Sequence, residues 1–456
     1  MIFRSLHRYI RELSLKVISS IALIPSVLAV GFLITSFITL YVDESSPEQL
    51  ISYKLAVDNI IYPDSARTLL GSITGGMISL MVFSFSMVMV VLNQTASNYS
   101  PRVLPSLIGR RFHQVVMGTY LGTILYTIVV LSSIQSSLYA FQVPHLSILL
   151  SILFSLISLA MFVAFVHSIS QHIQIGNIVR NLYEDTLASL NHYLKNSSMI
   201  SREEVPSAQP WVSVASPTSG YLHDMDRPTF LKLCQKMNIM VWMMVPWGVY
   251  VHQNKTFFRV SRQLTQGEQQ ALFNTFIFQT EEIISKNYAY GFKQLTEIAV
   301  KAMSPGINDP GTAVEAINRL TSLFVRHMDA HQTPFIADKQ GKLRWIGQPI
   351  LFEDLFTWCW TAIKNYTAQD TVVIYKLIEW LEIMICSDST QRHSAIFSTA
   401  LSEIIDHISI HVKSELDKQK LNRYIRELLH NSPEQILNET VQEKIDTVDA
   451  LEMYPR

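Results

Sequence analysis

Over its first third the chain alternates long uncharged apolar runs with short polar breaks, and then the pattern changes. Residues 17–42 hold no Asp, Glu, Lys or Arg, and the same is true of residues 68–101 and 112–179. About 20 apolar residues cross a bilayer as a helix, so the first two runs each predict one span. The third run is too long for one helix, and the polar stretch 132–142 followed by Pro144 divides it. The expected spans are 17–42, 67–93, 113–134 and 146–168, which together make a four-helix transmembrane domain over 17–170.

Beyond the last span, Ile178, Leu182, Leu187 and Leu190 give residues 171–200 the apolar face of a connecting helix. After a polar, proline-bounded stretch the pattern shortens. Runs at 211–215, 220–222, 239–245, 249–251 and 257–260 read as strands separated by turns, with a short helix over 228–237. They predict a small β module, barrel or sandwich in shape, over 205–263. Residues 264–456 are expected to be all helical. Thr265 and Glu268 form a capping-box pattern for a helix reaching about residue 286, and another helix runs over 288–303. At 304–310 the chain reads Ser304, Pro305, Gly306, Ile307, Asn308, Asp309, Pro310. Pro305 and Gly306 stop one helix, while Asp309 suits the cap of the next, with Pro310 in its first turn. From 351 onward the pattern is helical, and the residues at 432–435 mark the start of a last helix. The fold class is therefore integral membrane α-helical with an α+β region outside the bilayer.

Charge orients this arrangement. Only 16% of residues are charged, and their distribution is uneven. Residues 1–16 carry Arg4, Arg8, Arg11 and Lys16 against Glu12, and Arg102, Arg110 and Arg111 lie between the second and third spans. Between the first and second spans, Asp43, Glu44, Glu48, Asp58 and Asp64 face only Lys54. Basic residues stay on the cytoplasmic side, so both termini, including the basic segment 1–16, are expected in the cytoplasm. The first run is too long for a cleaved signal and lacks a small-residue cleavage site.

The same inventory excludes several function classes. No basic tract points to nucleic acid. Cys234, Cys359 and Cys386 share no metal-ligand spacing. His327 with His331, and His407 with His411, are four apart but lack a third ligand at a readable spacing. Walker, Rossmann, kinase and zinc-peptidase signatures are absent, and no Asp, Glu, Lys or Arg sits deep in a span, where proton-coupled carriers need such a group. Neither metal nor cofactor nor catalytic residue is expected, and the chain does not read as an enzyme.

What stands out is in the second span. Ser72, Ser79, Ser86, Asn93 and Ser100 recur every seventh residue, which places them on nearly one helix face. Such a stripe lines a wet conduit or forms a seam where small hydroxyl residues let helices meet. Gly71 with Gly75, and Gly118 with Gly122, are small-residue pairs that support close helix packing. The corner at Asn308 and Asp309 likewise has two readings, a ligand or cation site and a capped helix–helix turn.

Residues 94–104 with 116–123, and residues 302–313 around the Ser-Pro-Gly-Ile-Asn-Asp-Pro run, resemble the bacterial family of predicted membrane proteins catalogued as domain-of-unknown-function family 2254. Residues 219–226 are also similar to its pattern, whereas 246–251 and 363–366 depart from it. The resemblance runs from the first span to about residue 385. It implies a multi-span bacterial membrane protein and brings no activity with it. The expected site is the bacterial inner membrane, and the expected partners are the lipid bilayer and further copies of the chain, with any cytoplasmic ligand or partner unidentified. Two functions follow from the residues: an oligomeric, channel-like protein for ions or small solutes gated by its cytoplasmic domain, or a membrane-anchored sensor or scaffold.

Overall fold

The computed structural model describes residues 22–45, 63–98, 111–134, 144–172, 175–196, 198–200, 210–328, 333–367 and 370–430. The basic segment 1–16, Ser100 and the residues at 432–435 lie outside them. The chain divides into two compact units, residues 1–174 and 175–456.

The first unit holds α1 (Leu23–Ser45), α2 (Pro63–Asn98), α3 (Arg111–Ser133) and α4 (His145–His172). All four are long and apolar enough to cross a membrane, close to the boundaries expected from the charge-free runs. α3 is the central helix: 56% of its apolar window is buried, against 11–22% for the other three. Those three turn Val30, Ile34, Phe37, Val82, Phe85, Leu156 and Val163 outward, as lipid-facing positions do. α1 packs closely on α3 at the two glycines of α3. A Cβ on Gly118 would lie 2.7 Å from Leu28 Cδ1 and 2.9 Å from Pro25 Cα, and one on Gly122 would lie 2.6 Å from Phe32 Cγ.

Two charges near the ends of spans hold helix termini. Asp43 accepts hydrogen bonds from Leu146 N and Ser147 N at 3.0 Å and from Ser147 Oγ at 2.6 Å, satisfying donors that the first turn of α4 cannot pair internally. Arg67 donates to the Ile134 carbonyl at 2.8 Å, just past the end of α3. An acid at an N-terminus and a base at a C-terminus each oppose the helix dipole.

The second unit opens with α5 (Ile175–Asn196) and continues as β1 (Ser198–Ile200), β2 (Val212–Ala215), β3 (Gly220–Met225), α6 (Arg227–Met237), β4 (Val241–Met243), β5 (Tyr250–Val251), β6 (Thr256–Val260), α7 (Gln266–Phe273) and β7 (Phe276–Gln279). Then come α8 (Tyr288–Ala302), α9 (Pro310–His327), β8 (Thr333–Ala337), β9 (Leu343–Ile346), α10 (Phe352–Thr367), α11 (Thr371–Ser387), α12 (Ser394–His411) and α13 (Glu415–His430). The strands form a six-stranded sheet of order β1-β8-β9-β4-β6-β2 and a three-stranded sheet of order β5-β3-β7. Phe230, Phe257, Phe258 and Phe276, all fully buried, fill one core between these elements.

This corrects the sequence reading in two places. The small β module expected over 205–263 reaches beyond those bounds: its strands lie in two sheets that also take β1 from the region expected to be a connecting helix and β7, β8 and β9 from the region expected to be all helical. The helix opened by Thr265 ends at Phe273 rather than near 286, because Phe276, Ile277 and Phe278 enter a strand paired with β3. Aromatic and β-branched side chains fit a pleated, half-buried surface better than a helix there. β4 pairs in parallel with β9, a partner that no local pattern discloses.

The long helices pack where the sequence removes bulk. A Cβ on Gly291 of α8 would fall 1.8 Å from Thr186 Oγ1 of α5, so only glycine admits this approach. Ser189 Oγ of α5 donates to the Ile284 carbonyl at 2.7 Å, and the Arg319 guanidinium of α9 lies 5.3 Å from the Tyr183 ring centre. α5 is thereby fixed against α8 and α9. Behind them Phe324, Phe356, Trp380 and Phe397 are fully buried.

Candidate functional site

The outward face of α2 carries the Ser/Asn stripe. Leu70, Met77 and Ser84, seven residues apart, are buried against the bundle. Ser72, Ser79, Ser86 and Asn93 are exposed. Two residues further along a helix is about 200° around it, so the stripe lies nearly opposite the buried ridge. Gly71, Gly75 and Gly76 share the outward side, and a Cβ on any of them meets nothing within 4 Å. Ser79 Oγ is turned back onto the Gly75 carbonyl at 2.9 Å, as hydroxyls in membrane helices commonly are. The two glycine pairs therefore do different work. Gly118 and Gly122 are spent on α1, while Gly71 and Gly75 form a flat surface that the described residues leave uncovered.

The polar interior of the bundle belongs to α3 rather than α2. Thr119, Thr123 and Thr127, four apart, are all buried. Thr123 Oγ1 is 3.1 Å from Ser158 Oγ of α4, and Thr127 Oγ1 accepts from Thr74 Oγ1 of α2 at 3.1 Å. The Tyr126 hydroxyl is 2.9 Å from Thr39 Oγ1 of α1 and donates to the Ser147 carbonyl at 3.3 Å. One helix thus bonds to each of the other three, with interhelical hydroxyl contacts of the kind that join membrane helices. The i, i+4 threonines were the available signal in the sequence.

The corner at 304–310 is satisfied internally. Asp309 caps α9, accepting from Thr312 N at 3.1 Å and Thr312 Oγ1 at 2.5 Å, with Pro310 in the first turn. Its own N–H donates to the Ala302 carbonyl at 2.8 Å, and the Asn308 N–H donates to the Ser304 carbonyl at 3.0 Å. Ser304 Oγ donates to the Lys301 carbonyl at 2.7 Å. Asn308 sits at φ 47°, a left-handed conformation that asparagine tolerates, while Pro305 and Gly306 are exposed. Every group here has the role of a helix–helix turn, and Asp309 is committed to its cap.

Among the described residues no group of three or more His, Cys, Asp or Glu is placed to hold a metal ion. His327 is buried, its Nε2 3.0 Å from the Tyr288 hydroxyl; His331 lies outside the described residues. Burial, with a smaller effect from His393, pushes the His327 imidazole down to about 3, so it is neutral. Burial also pushes the Cys234 and Cys359 thiols up to about 12, which makes them poor nucleophiles. Among the described residues a shallow groove lies between α11 and α13, lined by Tyr375, Lys420, Arg423, Tyr424 and Glu427.

The sequence matches the model of the family described as predicted membrane protein (DUF2254) over residues 18–382. It is 24% identical over 355 residues to uncharacterized protein Mb1321c of Mycobacterium bovis and, to the same extent, to uncharacterized protein Rv1290c of Mycobacterium tuberculosis. Each alignment covers 74% of this chain and 68% of the relative. No solved structure matches it. The chain belongs to this family of predicted membrane proteins, with four helices able to span the bilayer.

Proposed function

We propose that this member of the family is a non-enzymatic, homo-oligomeric protein of the bacterial inner membrane, with both termini in the cytoplasm. In this reading the second spans of neighbouring copies meet and line a conduit for ions or small polar solutes. The observation that carries it is the position of Ser72, Ser79, Ser86 and Asn93 on the outward side of α2, opposite its buried ridge. A row of polar side chains and uncovered glycines directed at hydrocarbon forgoes packing and leaves the polar groups at best bonded back to their own helix, as Ser79 is. Against a second copy, the glycines permit close approach and the serines supply polar groups to a shared path. A packed bundle interior, its hydroxyls largely paired between helices, offers no such path within one copy. The fixing of α5 against α8 and α9, in the segment that follows α4, supports a cytoplasmic unit that acts on the conduit as a body. Replacing Ser79 or Ser86 with Leu tests the reading in proteoliposomes. Flux of small ions falls while the oligomer persists on a sizing column; unchanged flux in both variants refutes it.

The alternative is a membrane-anchored sensor or scaffold. The exposed Asn308 beside Asp309 is its best support, and the commitment of the Asp309 carboxylate to the α9 cap weighs against it. A ligand at this corner would have to displace the α9 cap.

A further inference from the structure

The shallow groove between α11 and α13 holds charges that its neighbours do not neutralise. Beside it Lys376 pairs with Glu379 at 2.9 Å, and the Tyr424 hydroxyl donates to Glu382 at 2.6 Å. Earlier on α13, Lys418 pairs with Glu415 at 3.2 Å. Three of the lining residues differ. Lys420, Arg423 and Glu427 are exposed, and none of them has a hydrogen bond or an ion pair among the described residues. Arg423 and Glu427 are one helical turn apart and still do not pair. Lys420, Arg423, Tyr424 and Glu427 share one face of α13 by their spacing. The two cations come first along that face and the carboxylate last.

Aromatic rings complete the lining. Tyr375 and Tyr424 stack with ring centres 5.9 Å apart and planes 28° apart, and the bond to Glu382 fixes the Tyr424 ring. Burial, together with the Glu382, Glu379 and Glu427 carboxylates, holds the Tyr424 hydroxyl above its ordinary pKa. The groove offers about 410 Å³, within the range of small-molecule sites. An anion alone would meet Lys420 and Arg423 and leave the acid unanswered, and a cation alone would do the reverse. We propose that this groove binds a small zwitterion, an amine-bearing phosphate ester. Lys420 and Arg423 hold its phosphate, and Glu427 holds its ammonium beside the Tyr375 and Tyr424 rings. Arg supplies a donor fork and Lys a point charge to phosphate oxygens, and tyrosine ring faces attract an ammonium. The proposal does not rest on the conduit.

The test titrates the full-length protein, in maltoside detergent, with phosphoethanolamine and with inorganic phosphate, read by phosphorus NMR line width. Lys420→Ala combined with Arg423→Ala weakens both ligands by about tenfold or more. Glu427→Gln acts in opposite directions, weakening phosphoethanolamine about threefold while tightening inorganic phosphate. Tyr375→Leu weakens phosphoethanolamine alone. An unchanged Tm in the Lys420/Arg423 and Glu427 variants shows that their losses are not unfolding. No binding of phosphoethanolamine by the unaltered protein overturns the site, and so does unchanged binding in the Lys420/Arg423 variant. Tightening of both ligands by Glu427→Gln, the mark of a plain anion site, overturns the zwitterion. Weaker binding of phosphoethanolamine in nanodiscs of phosphatidylethanolamine than in nanodiscs of phosphatidylglycerol assigns the site to a lipid headgroup, and equal binding assigns it to a free small molecule.

Discussion

Asp43, near the end of α1, caps Ser147 at the start of α4: one carboxylate oxygen accepts from Ser147 N at 3.0 Å and from Ser147 Oγ at 2.6 Å. The two residues are 104 apart in sequence, and their pairing ties the end of α1 to the start of α4. The other oxygen takes the Leu146 N–H at 3.0 Å. Removing this cap with Asp43→Ala is expected to cost about 1–2 kcal/mol, the usual range for a lost N-cap. Asp43→Asn, which keeps an acceptor, should recover most of it. Thermal unfolding of the purified protein in detergent measures both.

The two glycine pairs predict opposite phenotypes. Gly118→Val or Gly122→Val drives a side chain into Leu28 or Phe32, and overpacking of this kind costs about 1–3 kcal/mol. Gly71→Ala and Gly75→Ala meet nothing among the described residues and should leave the unfolding temperature of the dissociated protein unchanged. Gly75→Leu, bulky on the outward face, should shift the oligomer towards smaller species in analytical ultracentrifugation.

His327 makes the second unit acid-sensitive. Its folded-state pKa of about 3 lies below the unfolded value of 6.5, so between those limits the unfolded chain binds a proton that the folded chain does not. Stability is retained above about pH 6.5 and declines as pH falls towards 3, with a limiting slope of about 1.4 kcal/mol per pH unit. His327→Phe should flatten this dependence by up to that slope. All seven tryptophans lie at or beyond Trp211, so tryptophan fluorescence in urea titrations reports this unit specifically.

If Asp309 serves α9 as a cap, Asp309→Ala should cost about 1 kcal/mol and Asp309→Ser very little. Asn308→Gly should be neutral or stabilising at its φ of 47°, and Asn308→Val destabilising. Urea midpoints read by tryptophan fluorescence separate these cases.

Much of this was legible in the chain because it is local. Charge-free runs located the spans, and Asp309 followed by Pro310 announced a helix start. Thr265 with Glu268 announced another, and the structure has the full capping box there. The same local logic failed where partners are distant. Phe276 to Phe278 look like a continuation of a helix until β3 is in place, and Val241 meets Trp345 across a parallel pair that leaves no periodic trace. The direction of the serine stripe was also hidden. Leu70, Met77 and Ser84 repeat with the same seven-residue period as Ser72, Ser79 and Ser86, and periodicity alone does not say which row faces the bundle. The glycines were ambiguous for a related reason, since Gly71/Gly75 and Gly118/Gly122 have identical spacing and only the neighbours distinguish a filled face from an open one.

The central claim is that the outward row of α2 is wet and shared between copies. Single cysteines placed along 72–93 in a cysteine-free background, probed in intact membranes with a small water-soluble thiol reagent, test it most directly. The account predicts labelling at positions 72, 79 and 86 and protection at 70 and 77. Protection at all three stripe positions would contradict the conduit and make the row a dry contact between helices.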